Sequence, residues 1–299
     1  MNKIQIGISQ EIDFKFEFNK KKFELTKLAK NNFDFHAIII TSNTNLKYKV
    51  LNNCKKLKVI FIMSLHLLSK IDLKRIRKDI KILHFDKRNK SILNEITATP
   101  EFIFGLITLL IKNFLKTLEI SKMNIWDPKR TAYLSSEYML SECTLGIIGY
   151  GRIGKKLASI SKSFGMKNII FTKRNNNSLK KVSQKSDIIC ICLSLNKKTK
   201  NLINKNFFKN MKKNSYFINT SKGEIVNYND LLKYLGKNIK GAAIDVYRKE
   251  ISNSPEISKL TKHAKLYNNL ILTPHIAGST QDSIIKLQGF CLKKIERYF

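Results

Sequence analysis

Three groups of residues in this chain have types and spacings suited to chemistry. The first is Gly149-Tyr150-Gly151-Arg152-Ile153-Gly154, a G-x-G-x-x-G hexapeptide. An apolar run, Leu145 to Ile148, precedes it and a helical pattern, Ile153 to Phe164, follows, which is the setting a dinucleotide fingerprint needs. In that setting Gly149 permits the tight turn, Gly151 lets the backbone approach a pyrophosphate, and Gly154 lets helix and strand pack closely. The N–H groups and partial positive charge of the helix start face the pyrophosphate. Tyr150, Arg152 and Ile153 occupy the variable positions of this cofactor loop.

The second group, Thr172-Lys173-Arg174, ends the next expected strand, Asn168 to Thr172. A site that prefers NAD puts a carboxylate there for the ribose 2′-hydroxyl. This stretch has none, and a hydroxyl followed by two cations suits a 2′-phosphate, so NADP(H) is expected over NAD(H). The third group comprises Ile218 to Gly223 (INTSKG), Ala243 to Glu250 (AIDVYRKE) and Leu272 to Gly278 (LTPHIAG). These contain Lys222, Asp245, Glu250 and His275, and each lies at the carboxyl end of an expected strand, where open α/β sheets hold their ligands.

The elements that must position these groups are legible as apolar runs. In the first hundred residues Ile4 to Ile8, His36 to Thr41, Lys58 to Met63 and Ile80 to Phe85 read as strands, with helices expected over Lys20 to Lys30 and Leu73 to Lys78. A buried helix is expected over Phe102 to Leu118, with Thr99 as N-cap and Pro100 at the first helical position. From Thr144 onward, strands and helices alternate in the rhythm of a doubly wound α/β domain, ending in an amphipathic helix from Thr280 to Phe299.

The chain of 299 residues is 43% hydrophobic, which fits folded domains of ordinary size. Its formal charge of +34 would suggest nucleic acid, but only eight of the 56 basic residues are arginine, and they are scattered. The joint abundance of lysine, asparagine and isoleucine points to a codon bias, so no nucleic-acid partner is expected. A long-range attraction for anionic substrates and cofactors remains. No run approaches the roughly 20 apolar residues of a membrane span. Met1 to Gln10 lacks a secretory pattern, and the five cysteines show no disulfide or metal spacing; a cytoplasmic protein without a metal site is expected.

Taken together, the glycine fingerprint and the three stretches of the third group resemble the D-2-hydroxyacid dehydrogenase family, which includes phosphoglycerate dehydrogenase and the glyoxylate/hydroxypyruvate reductases. The resemblance covers residues 97 to 280 and thins before them, where only LKVI and Ile71-Asp72-Leu73 look familiar. It implies two Rossmann-like doubly wound parallel-sheet α/β domains with the active site in the cleft between them. Residues 1–95 plus 280–299 would form the substrate-binding domain, and 96–279 the dinucleotide-binding domain. The activity implied is hydride transfer between NAD(P)H and a 2-keto acid or D-2-hydroxy acid. His275 would be the general acid–base, with Glu250 favouring its protonated form, and Asp245 would hold the nicotinamide carboxamide. A homodimer is implied, with Phe102 to Leu118 and the segment after it as candidate contacts.

Two departures bear on the substrate. Lys222 stands where the family has a substrate-binding arginine, keeping the charge but losing the two-pronged donor. Ser64 to Lys70 has no glycine where the family uses a glycine-containing loop against the substrate carboxylate. They support an alternative, a cofactor-binding regulatory or scaffolding member with reduced or lost catalysis. The cofactor expectation is checked by Michaelis constants: the value for NADPH should be the lower, and a clear preference for NADH would end the 2′-phosphate reading.

Overall fold

Short β-branched runs buried on both faces can form only a parallel sheet flanked by helices, and this chain builds two of them. The computed structural model describes residues 3–8, 19–28, 35–40, 48–63, 68, 71–127, 129, 138–172, 178–248 and 254–299. Its strands are β1 (Ile4–Ile8), β2 (Phe23–Lys27), β3 (Ala37–Ile40), β4 (Val59–Ile62), β5 (Lys81–His84), β6 (Thr144–Ile148), β7 (Lys167–Phe171), β8 (Ile188–Ile191), β9 (Ser215–Asn219), β10 (Ile239–Ile244) and β11 (Leu270–Leu272). The α-helices are α1 (Tyr48–Asn53), α2 (Lys90–Glu95), α3 (Ala98–Ile111), α4 (Phe114–Lys122), α5 (Arg152–Ser163), α6 (Leu179–Lys185), α7 (Lys205–Lys209), α8 (Tyr228–Tyr234), α9 (Pro255–Leu266) and α10 (Gln281–Ile295).

The chain divides into two compact units, Met1–Ile96 with Thr280–Phe299, and Thr97–Ser279. In the first, five parallel strands run in the order β2-β1-β3-β4-β5. Successive residues of β4 point to opposite faces: Val59 and Phe61 join a core with Cys291, Leu292 and Ile295 of α10, while Ile60 and Ile62 pack with Leu51 of α1.

In the second unit six parallel strands run β11-β10-β9-β8-β6-β7. One face packs Ile189, Phe217 and Ile244 against Phe208, Tyr228, Leu231 and Leu260. The other packs Ile147, Cys190 and Ile218 against Ile103, Leu106 and Ile107 of α3 and Leu157 of α5. The winding reverses at β6, whose neighbours are β7 and β8, so its carboxyl end opens on a switch-point crevice. Strand register aligns Leu272, Ile244, Asn219, Ile191, Ile148 and Phe171 in one row across this sheet. Whatever follows that row shares one edge.

Three local expectations are corrected. The helix expected over Lys20 to Lys30 is a strand at Phe23–Lys27, because Phe-Glu-Leu-Thr-Lys alternates with period two and puts Phe23 and Leu25 into the core beside β1. Helix α3 starts at Ala98 with Thr97 as its N-cap, not Thr99, and Pro100 sits in the first turn, where no N–H is needed. The helix expected to run to Leu118 breaks at Asn113, whose left-handed backbone (φ 50°) starts α4 afresh. The stretch Lys90–Ile111 is long and apolar enough to cross a membrane by length and composition alone. Its chain is non-helical at Ile96 and Thr97, and α3 serves as a core helix of the second unit.

The five cysteines are free thiols. Burial pushes Cys143 up to about 11 and Cys192 up to about 12, and raises Cys190 and Cys291 well above the ordinary thiol value. A thiol that keeps its proton longer when folded adds stability that is complete below its unfolded pKa and declines as pH rises toward the folded value. The free energy of unfolding should therefore fall between pH ~8.5 and ~11, by about 1.4 kcal/mol per pH unit for a thiol such as Cys143. Denaturant titrations at several pH values check this: Cys143→Ala should show the shallower decline, and an unchanged slope would contradict it.

Candidate functional site

The turn after β6 has the close approaches that its glycines suggest. Gly149 has φ 106°, and a Cβ there would lie 2.5 Å from the Cys192 carbonyl oxygen, so no other residue fits this bend. A Cβ at Gly154 would fall 2.2 Å from the Gly149 oxygen, which is how closely α5 packs on the turn. Gly151 differs: nothing lies within 4 Å of the Cβ it lacks. Its bareness leaves room for an incoming group rather than for the protein, beside the first N–H groups of α5, which have no intrahelical acceptor. Ile153 packs into the core, Arg152 and Tyr150 are exposed, and the Lys155 ammonium lies 5.8 Å from the Tyr150 ring centre. This open, side-chain-free cradle at a switch point fits a dinucleotide.

Two to four strands away on the same edge, the segments after β9, β10 and β11 are tied to one another. Asn219 is fully buried, and its Nδ2 donates to the Lys222 carbonyl (3.2 Å) and the Tyr228 hydroxyl (2.8 Å), while Oδ1 accepts from the Ser221 N–H (3.0 Å). Tyr228 in turn donates to the Val246 carbonyl at 2.6 Å, and Ser221 Oγ to the Leu193 carbonyl at 2.6 Å. Lys222 is thereby held half-buried at the head of a 3-10 turn, Gly223–Ile225.

Asp245 is the centre of the next segment and is completely buried. Its Oδ1 accepts from Thr273 Oγ1 (2.5 Å) and the Ile276 N–H (3.0 Å), and Oδ2 accepts from the Ala277 N–H (3.1 Å). Its backbone accepts from the His275 N–H at 2.8 Å. The carboxylate thus holds the 273–277 turn, the capping or turn-forming role that a strand-end aspartate also allows. That turn puts His275 in left-handed backbone, φ 56°, with an exposed side chain. Such a conformation is uncommon outside glycine and persists where surrounding bonds enforce it.

Of the residues expected from sequence, the structure brings Lys222, Asp245 and His275 onto three adjacent strand ends, with the Gly149–Gly154 turn and Thr172 on the same row. Lys173, Arg174 and Glu250 lie outside the described residues, as does Ser64 to Lys70 apart from Leu68.

A model of the D-isomer specific 2-hydroxyacid dehydrogenase NAD-binding domain matches residues 104–277. The chain belongs to the D-isomer specific 2-hydroxyacid dehydrogenase family. Its second unit carries the family's nicotinamide-binding domain, and the family's chemistry is oxidation and reduction of 2-hydroxy acids. Among relatives, a glyoxylate reductase of Thermofilum pendens is 30% identical over 85% of this chain and 75% of its own length. D-3-phosphoglycerate dehydrogenase 1 of Saccharomyces cerevisiae is 26% identical over 95% of this chain, which spans 62% of that protein. A crystal structure of D-lactate dehydrogenase from Aquifex aeolicus, complexed with NAD and lactic acid, has the same fold, with TM-score 0.73 and 23% identity over 98% of this chain and 95% of that one.

Within this family member, sequence reasoning missed Tyr228, Ser221 and Arg248, whose work is done by hydrogen bonds between distant segments. Only Tyr228 left a trace, an aromatic residue on an amphipathic stretch that reads equally well as core. Asp245→Ala would strand the hydroxyl of Thr273 and the N–H groups of Ile276 and Ala277 without their acceptor. It should lower stability by about 3 kcal/mol and abolish turnover, measured by denaturant unfolding and by oxidation of the reduced nicotinamide cofactor; a variant with wild-type stability would show that the carboxylate does not hold this turn.

Proposed function

We propose that this family member interconverts a 2-keto acid and a D-2-hydroxy acid, with NADP(H) as its preferred cofactor. The observation that carries the reading is the convergence of Lys222 and His275 on the carboxyl ends of β9 and β11, flanking Asp245 and sharing an edge with the glycine turn. Neighbouring strands are about 4.8 Å apart, so the two ends stand about 10 Å from each other, room for one small acid between their side chains.

In this reading the Gly149–Gly154 turn holds the pyrophosphate and Thr172, Lys173 and Arg174 hold the 2′-phosphate. The nicotinamide, when bound, supplies hydride to C2 or removes it. Lys222 draws in the substrate carboxylate and orients the keto oxygen as a point charge. His275, as imidazolium, donates its proton to that oxygen as the carbonyl becomes a hydroxyl; in the reverse direction the neutral ring takes the proton back. Glu250 is the acidic partner that the family resemblance assigns to the ring. Asp245 is a positioning residue, since its carboxylate is engaged by the turn that presents His275. The excess of positive charge raises the local concentration of an anionic substrate.

Exposed Leu115, Leu118 and Trp126 support a homodimer formed through the second unit, and the buried free thiols suit a reducing cytoplasm. The test is NADPH oxidation with glyoxylate, hydroxypyruvate, pyruvate and longer 2-keto acids. His275→Asn should reduce kcat by about 10²–10⁴ and leave NADPH binding, followed by its fluorescence, unchanged. Proven cofactor binding without turnover on any of these acids would overturn the enzymatic reading in favour of a binding module.

A further inference from the structure

Arg248 follows the Asp245-Val246-Tyr247 strand end, and its side chain reaches across to the turn that begins at Lys222. We propose that Arg248 is a positioning residue for Lys222, clamping the 222–226 turn from its far end; this rests on the reading of Lys222 as the substrate-carboxylate group. Nε and Nη2 of Arg248 both donate to the Val226 carbonyl, at 3.2 and 2.7 Å. Nη2 also donates to Asn201 Oδ1. Val226 closes the Gly223–Ile225 turn, and Lys222 opens it.

The same turn is gripped from two further directions. A Cβ at Gly223 would fall 2.2 Å from the Tyr247 carbonyl carbon and 2.5 Å from the Arg248 nitrogen, so the Lys222–Gly223 backbone lies against the peptide of Arg248 itself. The Asn201 N–H donates to the Glu224 carbonyl at 2.9 Å, so the second acceptor of the guanidinium is also anchored to the turn. Glu256, near the start of α9, fixes the arginine: it accepts from the Arg248 N–H at 3.2 Å and lies 3.5 Å from Nε.

A lysine ammonium on a flexible stem has no planar fork to orient a carboxylate, so its placement depends on the backbone that carries it. A turn of three residues has little hydrogen bonding of its own. The planar guanidinium supplies what the turn lacks, two N–H groups on one carbonyl and a third contact on an amide, which an ammonium at position 248 cannot span. Two of the three guanidinium nitrogens of Arg248, Nε and Nη2, are engaged in this way by the Val226 carbonyl and the Asn201 amide.

Steady-state kinetics on Arg248→Lys and Arg248→Met, each made in the native chain and in a Lys222→Met chain, test the proposal. In the native chain both should raise KM for the keto acid about tenfold, with kcat falling less than about threefold and the Kd for NADPH unchanged. In the Lys222→Met chain they should change kcat/KM by less than about twofold, because the group they position is gone. Equal losses in both chains, or an Arg248→Lys enzyme that matches the native one, would overturn it. Should Arg248→Met fail to fold, Asn201→Ala removes a single contact and should raise KM about twofold to threefold; an unchanged KM counts against the clamp. A native enzyme inactive on every 2-keto acid defeats the functional reading first, and this inference with it, whereas an active one with additive variants defeats this inference alone.

Discussion

One buried carboxylate organises the functional edge of this protein. Asp245 is removed from water and, among the described residues, is satisfied by groups of the turn it faces: a threonine hydroxyl and two backbone N–H groups. A polar group in such a place is tolerable only when its hydrogen bonds are made, and making them dictates where residues 273 to 277 run. The unusual backbone of His275 follows from that demand. The backbone that presents the imidazole is therefore fixed by a carboxylate at the neighbouring strand end.

Around that carboxylate the remaining strand ends are linked in sequence. Ser221 reaches to the end of β8, Asn219 and Tyr228 span β9 to β10, and Arg248 returns from β10 to the turn after β9. Each link joins a side chain to a backbone carbonyl or to another buried side chain, so the edge behaves as one hydrogen-bonded layer on top of the sheet. The glycine turn needs no such bracing. Its shape is fixed by steric contact, with Gly154 against the Gly149 carbonyl and Gly149 against Cys192.

How much of this was legible in the sequence depends on whether the determinant was local. Strands β3, β4, β6, β8 and β9 stood out because runs such as Val59 to Ile62 and Ile188 to Ile191 are buried on both faces and so are apolar throughout. The glycine turn was legible because its requirements fall within six residues. By contrast β2 was misread as a helix: with lysines crowding Lys20 to Lys22, only the alternation of Phe23 and Leu25 marks its edge-strand character. The break at Asn113 depends on one residue accepting a left-handed conformation, which composition does not announce. The candidate residues Lys222, Asp245 and His275 were found from motif and strand-end position, and a turn-forming duty for Asp245 was conceivable, but its particular partners were not legible because they are 28 to 32 residues distant.

The first unit draws its core from both ends of the chain. Ile6 and Ile8 of β1 share a cluster with Cys291, Leu292 and Ile295 of α10, while the second unit has its whole sheet within Thr97–Ser279. During synthesis the two therefore mature out of sequence order. The nucleotide-binding half can close as soon as β11 has emerged, whereas the earlier-made strands β1 to β5 must wait with one apolar face bare until α10 leaves the ribosome. For that interval the nascent protein exposes Val59 and Phe61, and it is there that a chaperone has most to cover.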